Sequence, residues 1–339
     1  MKSSNNILLS LIGIIFMGTI SLLATTTAAP KIPTITVWIH GTKSHEFLIN
    51  RLSKLAQNLE VKLFGYKQGL HKVASFTSNQ NNYVLAKELS DNYPQQFPWE
   101  HFYVFGWSGK LNHTGRQLAA KDLYHALKEL VLRYQKEYCI TPQITLITHS
   151  HGGNVALNMA AIVDKDYSLI INRLILLACP VQNYTMDLVK SPLFKRIYSI
   201  HSHTDMLQIL DPQGLHPFLA LKRMAEFKNA FNISKKRPLF SRRHFPINPK
   251  IAHACIRWKK GVSWKKPLTT MTNSAYFRPI KVALQNIDKI KSNRGLLHIE
   301  FTLLPFVSHL PDVIAQLDDA IKKTTHCISN TDPDIVIHL

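Results

Sequence analysis

Residues 144–157 read Ile-Thr-Leu-Ile-Thr-His-Ser-His-Gly-Gly-Asn-Val-Ala-Leu, and this stretch decides the fold. The β-branched and aliphatic run Ile144 to Ile147 predicts a strand. Ser150 follows between His149 and His151, then Gly152 and Gly153, then residues with helical spacing to about Val163. The pattern is a strand, a tight turn with Ser150 at its apex, and a helix. Such a turn lifts the serine hydroxyl clear of the backbone at a helix N-terminus, where amide groups can stabilise negative charge. Gly152 is small where helix and strand pass closest.

Working outward, Thr34–Ile39 predicts a strand ending in His40-Gly41-Thr42, with a helical segment over 46–59 after it. Weak helical signals lie near Tyr83 to Leu89. His101–Gly106 predicts a second strand, followed by a helix from about Gly115 to Tyr138. Beyond the serine turn, Arg173–Ala178, Arg196–Ile200 and Leu297–Leu303 predict three more strands, and Pro311–Lys323 a last helix. Alternating strands and helices imply an α/β fold with a doubly wound, mostly parallel sheet, whose reactive groups gather at the C-terminal strand ends.

The serine turn resembles the nucleophile elbow of the α/β-hydrolase superfamily, Gly-x-Ser-x-Gly, with Thr148 in place of the first glycine. The residues after the other strands extend the resemblance. Asp205 follows the fifth strand and His309 the sixth, giving the order Ser, Asp, His found in that superfamily. The resemblance implies an α/β-hydrolase domain over 30–339 and a triad of Ser150 as nucleophile, His309 as base and acid, and Asp205 orienting the imidazole. It also implies an oxyanion hole from the backbone N–H groups of Thr42 and His151. The expected activity is hydrolysis of carboxylic esters, of lipid or other apolar acyl groups, through an acyl-enzyme and without a cofactor. Amide or thioester cleavage would use the same triad.

Several residues compete for these places. Asp211 stands before Pro212, where it suits a turn. His298 begins the predicted sixth strand, and His326 and His338 lie beyond the last helix. His40 suits local packing, and His149 and His151 suit the pocket wall. A different chemistry is offered by His201-Ser202-His203-Thr204-Asp205-Met206. This resembles the HxHxDH metal motif of the metallo-β-lactamase superfamily, with Met206 replacing its last histidine, and would make His201, His203 and Asp205 metal ligands. A catalytically silent hydrolase fold that binds a partner is the alternative outside enzymology.

Composition adds a location and a surface. Lys2, the apolar run Ile7–Leu23 and the small residues to Ala29 read as a signal peptide over 1–28, or an uncleaved anchor, which places the body outside the cytoplasm. Cys139, Cys179, Cys255 and Cys327 show no disulfide framework, and Cys179 suits a core position. The formal charge is +20, concentrated over 215–266, where Glu226 is the only acid among many Lys and Arg and aromatic residues such as Phe227, Phe231, Trp258 and Trp264 are interleaved. The interval between Asp205 and His309 exceeds a simple strand–helix connection, so 215–290 is expected to form a basic lid or cap inserted before the catalytic histidine. Its charge suits an anionic membrane surface. No nucleic-acid recognition motif accompanies it.

Overall fold

The computed structural model describes residues 32–42, 67–163, 169–180, 182, 184–202, 205, 250–257, 296, 298–324 and 335–339. The expected leader at 1–28, the predicted helix at 46–59, His203, His326 and most of the basic segment lie outside the described residues. In chain order the elements are β1 (Thr34–Ile39), β2 (Gly69–Lys72), α1 (Asn81–Asn92), β3 (Phe102–Gly106), α2 (His113–Tyr138), β4 (Gln143–His149), α3 (His151–Asn158), β5 (Arg173–Leu177), β6 (Ile197–His201), β7 (Ile251–Arg257), the single turn α4 (Leu304–Val307), α5 (Leu310–Thr324) and β8 (Ile335–His338).

The strands form one eight-stranded sheet in the order β2-β3-β1-β4-β5-β6-β7-β8. Every pairing is parallel except that of β2 with β3. Alternate side chains go to opposite faces. Ile35, Val37, Ile39, Ile144 and Leu146 pack on the face covered by α2 and α3. Trp38, Ile147, Ile175, Leu177 and Ile200 pack on the other, with Val313 and Leu317 of α5. Both faces are covered, which is why β4 reads as a continuous apolar run. Each fully buried Leu or Ile side chain contributes about 1.5–3 kcal/mol of transfer free energy.

Local chemistry sets the helix bounds. Helix α2 starts before Gly115 because the Asn112 side chain caps it, accepting from the Gly115 N–H at 2.6 Å. It ends at Cys139, which takes the left-handed conformation at φ 53°. Helix α5 is tied to the sheet by Asp318, whose carboxylate accepts from Arg173 (3.2 Å), Arg196 (3.1 Å) and the Tyr198 hydroxyl (2.6 Å). Burial and that bond push the Tyr198 phenol up to about 12.

Two expectations need correcting. The run Leu297–Leu303 is not a strand: His298–Thr302 forms a 3-10 turn leading into α4, with Phe301 packed edge-on to Phe306 at 5.0 Å. The sheet position beside β6 belongs instead to β7, which lies inside the segment expected to be a lid. Its residues Ala254, Cys255 and Ile256 are wholly buried. The rest of 215–290 lies outside the described residues. The edge strands β2 and β8 were not expected. They are four residues each and carry little periodicity.

Candidate active site

Ser150 stands between β4 and α3 at φ 52°, ψ −132°, a conformation that non-glycine residues rarely adopt. Its N–H still donates to Leu177 O at 2.9 Å, so the strain falls at the apex and not along the strand. The surrounding glycines have a steric cause. A Cβ on Gly152 would stand 2.5 Å from His40 O and 2.8 Å from Ile39 O, and one on Gly41 would stand 2.8 Å from Ser150 Cβ. The ends of β1 and β4 therefore pass in direct contact through Gly41 and Gly152. Thr148 is accommodated because its hydroxyl donates to Ile175 O at 3.0 Å, turning toward β5.

The residues after β1 form a rigid turn. A backbone N–H can only donate, so Trp107 N–H donates to His40 Nε2 (3.2 Å), which leaves Nδ1–H to donate to Gly41 O (2.6 Å). The Trp107 indole N–H donates to His40 O at 2.8 Å, and the two rings stack with centroids 5.7 Å apart. Holding Gly41 O on one side turns the next N–H, that of Thr42, to the other, because C=O and N–H of a trans peptide point oppositely. His40 thus bonds locally, as expected. On α3, the His151 N–H is at the first helical position, where no intrahelical acceptor exists.

Asp205 is fully buried after β6. Its carboxylate accepts from His298 Nδ1 at 2.9 and 3.1 Å. A carboxylate accepts only, so the proton is on Nδ1 and a neutral imidazole presents Nε2 as its basic nitrogen. His298 is also joined to the elbow. His149 Nε2–H donates to His298 O at 3.0 Å, and the two rings lie 4.7 Å apart. Burial above all, and then the neighbouring His298, hold His149 well below the usual histidine range, so it stays neutral.

The placement of the base is a further correction. His309, expected to partner Asp205, is exposed at the start of α5, its N–H bonded to Phe306 O at 2.9 Å. With β7 filling the sheet position, the loop that returns to the serine is the one carrying His298. The signal was present in Ile-Ala-His-Ala-Cys-Ile (251–256): read as a strand, it makes His298 a histidine of the connection that follows it. The structure therefore brings Ser150, Asp205 and His298 to one sheet edge, together with Thr42 and His151. For the metal reading, His203 lies outside the described residues. Among those described, no group of three or more His, Cys, Asp or Glu is arranged to hold a metal ion. Cys139 is exposed, and Cys179 and Cys255 are buried.

The chain matches no protein-family model and no curated protein sequence. Among solved structures it is similar to two of an esterase from Pyrobaculum calidifontis. One, a monoclinic form, is 12% identical with a TM-score of 0.32, covering 87% of this chain and 78% of that one. The other is 11% identical with a TM-score of 0.33, covering 87% and 76%. A thermostable carboxylesterase cloned from a metagenomic library is 12% identical with a TM-score of 0.27, covering 61% and 79%. The mostly parallel eight-stranded sheet with flanking helices fits the α/β-hydrolase fold.

Proposed function

We propose that the protein is a serine hydrolase that cleaves carboxylic esters through an acyl-enzyme on Ser150. The observation that carries this reading is the buried Asp205 carboxylate accepting from His298 Nδ1, on a histidine anchored beside the strained Ser150. In the proposed reaction His298 Nε2 takes the Ser150 proton as the hydroxyl attacks the ester carbonyl, then returns it to the leaving alcohol. Asp205 stabilises the imidazolium. The N–H groups of His151 and Thr42 receive the oxyanion, each contributing about 3 kcal/mol to lowering the barrier. Water activated by the same histidine then releases the acid. The reaction as proposed needs no cofactor.

The substrate proposed is an ester of an apolar acyl group, with the basic 215–266 segment drawing the protein to an anionic lipid surface outside the cytoplasm. A fluorophosphonate probe and a panel of p-nitrophenyl esters test the reading. Wild type labels and turns over, and Ser150→Ala does neither; failure of the wild-type protein to label contradicts the proposal.

A further inference from the structure

The N-terminal end of α2 buries a cation that has no anion among the described residues. Arg116 is fully buried, and a guanidinium stays protonated in any protein environment. Its Nη2 donates to the Tyr184 hydroxyl at 2.5 Å, and its Cζ lies 6.0 Å from the Tyr184 ring centroid. Among the described residues its Nε–H and its Nη1 group have no acceptor, and the buried Nδ1 of His113, one turn earlier on α2, has no hydrogen-bond partner either. His113 packs on Tyr184 with ring centroids 4.1 Å apart. Burial and the charge of Arg116 hold the His113 imidazole below its usual range, so it adds no second charge. Among the described residues no carboxylate forms an ion pair with Arg116. Burying a charge unpaired is costly, and such sites normally hold a counter-ion.

The cluster lies at the sheet edge that carries Ser150. Helix α2 begins shortly after the C-terminal end of β3, and Tyr184 belongs to the turn that follows β5. That turn is bolted to the elbow helix. Thr185 Oγ donates to Asn154 Oδ1 at 2.6 Å, Asn154 Nδ2 donates to Pro180 O at 3.0 Å, and Gln182 Nε2 lies 3.5 Å from His151 Nδ1. Tyr184 itself is 37% exposed, so it stands between the buried guanidinium and solvent. Its neutral hydroxyl occupies a position where an anionic oxygen would bond more strongly.

We propose that Arg116, His113 and Tyr184 form an oxyanion-binding subsite for a carboxylate or phosphate group carried by the substrate, which displaces the Tyr184 hydroxyl from Arg116. The subsite rests on the serine-hydrolase reading for its place in the reaction, and not for its ability to bind an anion. It therefore has a test that needs no turnover. In thermal melts at constant ionic strength, succinate or inorganic phosphate, compared with chloride, raises the melting temperature of wild type and of Ser150→Ala alike. Arg116→Gln loses the rise, and Tyr184→Phe binds the anion more tightly because the competing hydroxyl is gone. Which of the two anions stabilises more separates a carboxylate from a phosphate as the group recognised.

Turnover supplies the second arm. Wild type prefers 3-(butyryloxy)benzoate, an apolar acyl ester whose leaving alcohol carries the carboxylate, to neutral phenyl butyrate in kcat/KM by about tenfold, the scale of one charge-assisted contact. That ratio collapses toward one in Arg116→Gln. Absence of an anion-specific shift in wild type overturns the subsite even if Arg116→Gln fails to fold. An equal shift in wild type and folded Arg116→Gln overturns it as well. If no ester is hydrolysed at all, the hydrolase reading fails and the melts still decide the subsite.

Discussion

Ser150 and its neighbours are held by two adjacent strands, β1 and β4, whose ends touch through Gly41 and Gly152. Asp205 and His298 reach the same edge from two loops, on residues 93 positions apart in sequence. The serine side is therefore fixed by backbone packing. The proposed acid–base side is held, among the described residues, through side-chain hydrogen bonds of His298 to Asp205 and of His149 to His298. A strained turn is best preserved by steric necessity, while the proposed proton relay needs only a defined tautomer and a short reach.

Substitutions on the two sides should fail differently. The largest effect is expected from Asp205→Asn, which keeps the shape but no longer fixes the proton on His298 Nδ1. Ester hydrolysis should fall by about 10³–10⁴ with the fold intact. Steady-state kinetics beside a circular dichroism melt check this, and a variant of near-normal activity would show that the carboxylate does not orient the base. On the serine side, Gly152→Ala forces a methyl group against two backbone oxygens of β1. It should cost about 1–3 kcal/mol of stability in denaturant titration as well as activity. Gly115→Ala, which meets only the Asn112 side chain, should cost less. Equal costs at the two glycines would refute the claim that steric contact fixes the elbow.

The smallest effect concerns His149. Its folded-state pKa lies below the unfolded value, so the unfolded chain binds its proton first as pH falls. The stability this group contributes is present above about pH 6.5 and is lost as pH drops below that value toward its folded pKa. His149→Gln can still donate to His298 O through its amide. It should show a shallower loss of melting temperature on acidification, and an unchanged slope would remove His149 from the acid sensitivity of the fold.

The same contrast governs what the sequence made legible. The elbow was readable because strand, serine, glycines and helix lie within fourteen consecutive residues, 144–157, each with a local physical reason. Thr34–Ile39 and its His-Gly-Thr turn were readable for the same reason. Asp205 was found because it closely follows a clear strand. His298 is hidden in the sequence, since Leu297–Leu303 has the composition of a buried strand and periodicity cannot separate that from a short buried turn. The strand β7, Ile251–Arg257, is hidden for another reason: lysine and arginine flank it, so it reads as part of a charged segment. Only sheet pairing with β6 reveals its place. The burial of Arg116 is invisible for a related reason: nothing local in the sequence distinguishes a buried arginine from a solvated one.

The proposed assignment makes His298, and not His309, the base that serves Ser150. It is tested most directly by measuring ester hydrolysis and fluorophosphonate labelling of His298→Ala and His309→Ala side by side. The account predicts that His298→Ala loses about 10³-fold or more in kcat/KM, while His309→Ala, exposed at the start of α5, stays within about twofold of wild type. Loss of activity in His309→Ala with His298→Ala unimpaired would contradict it.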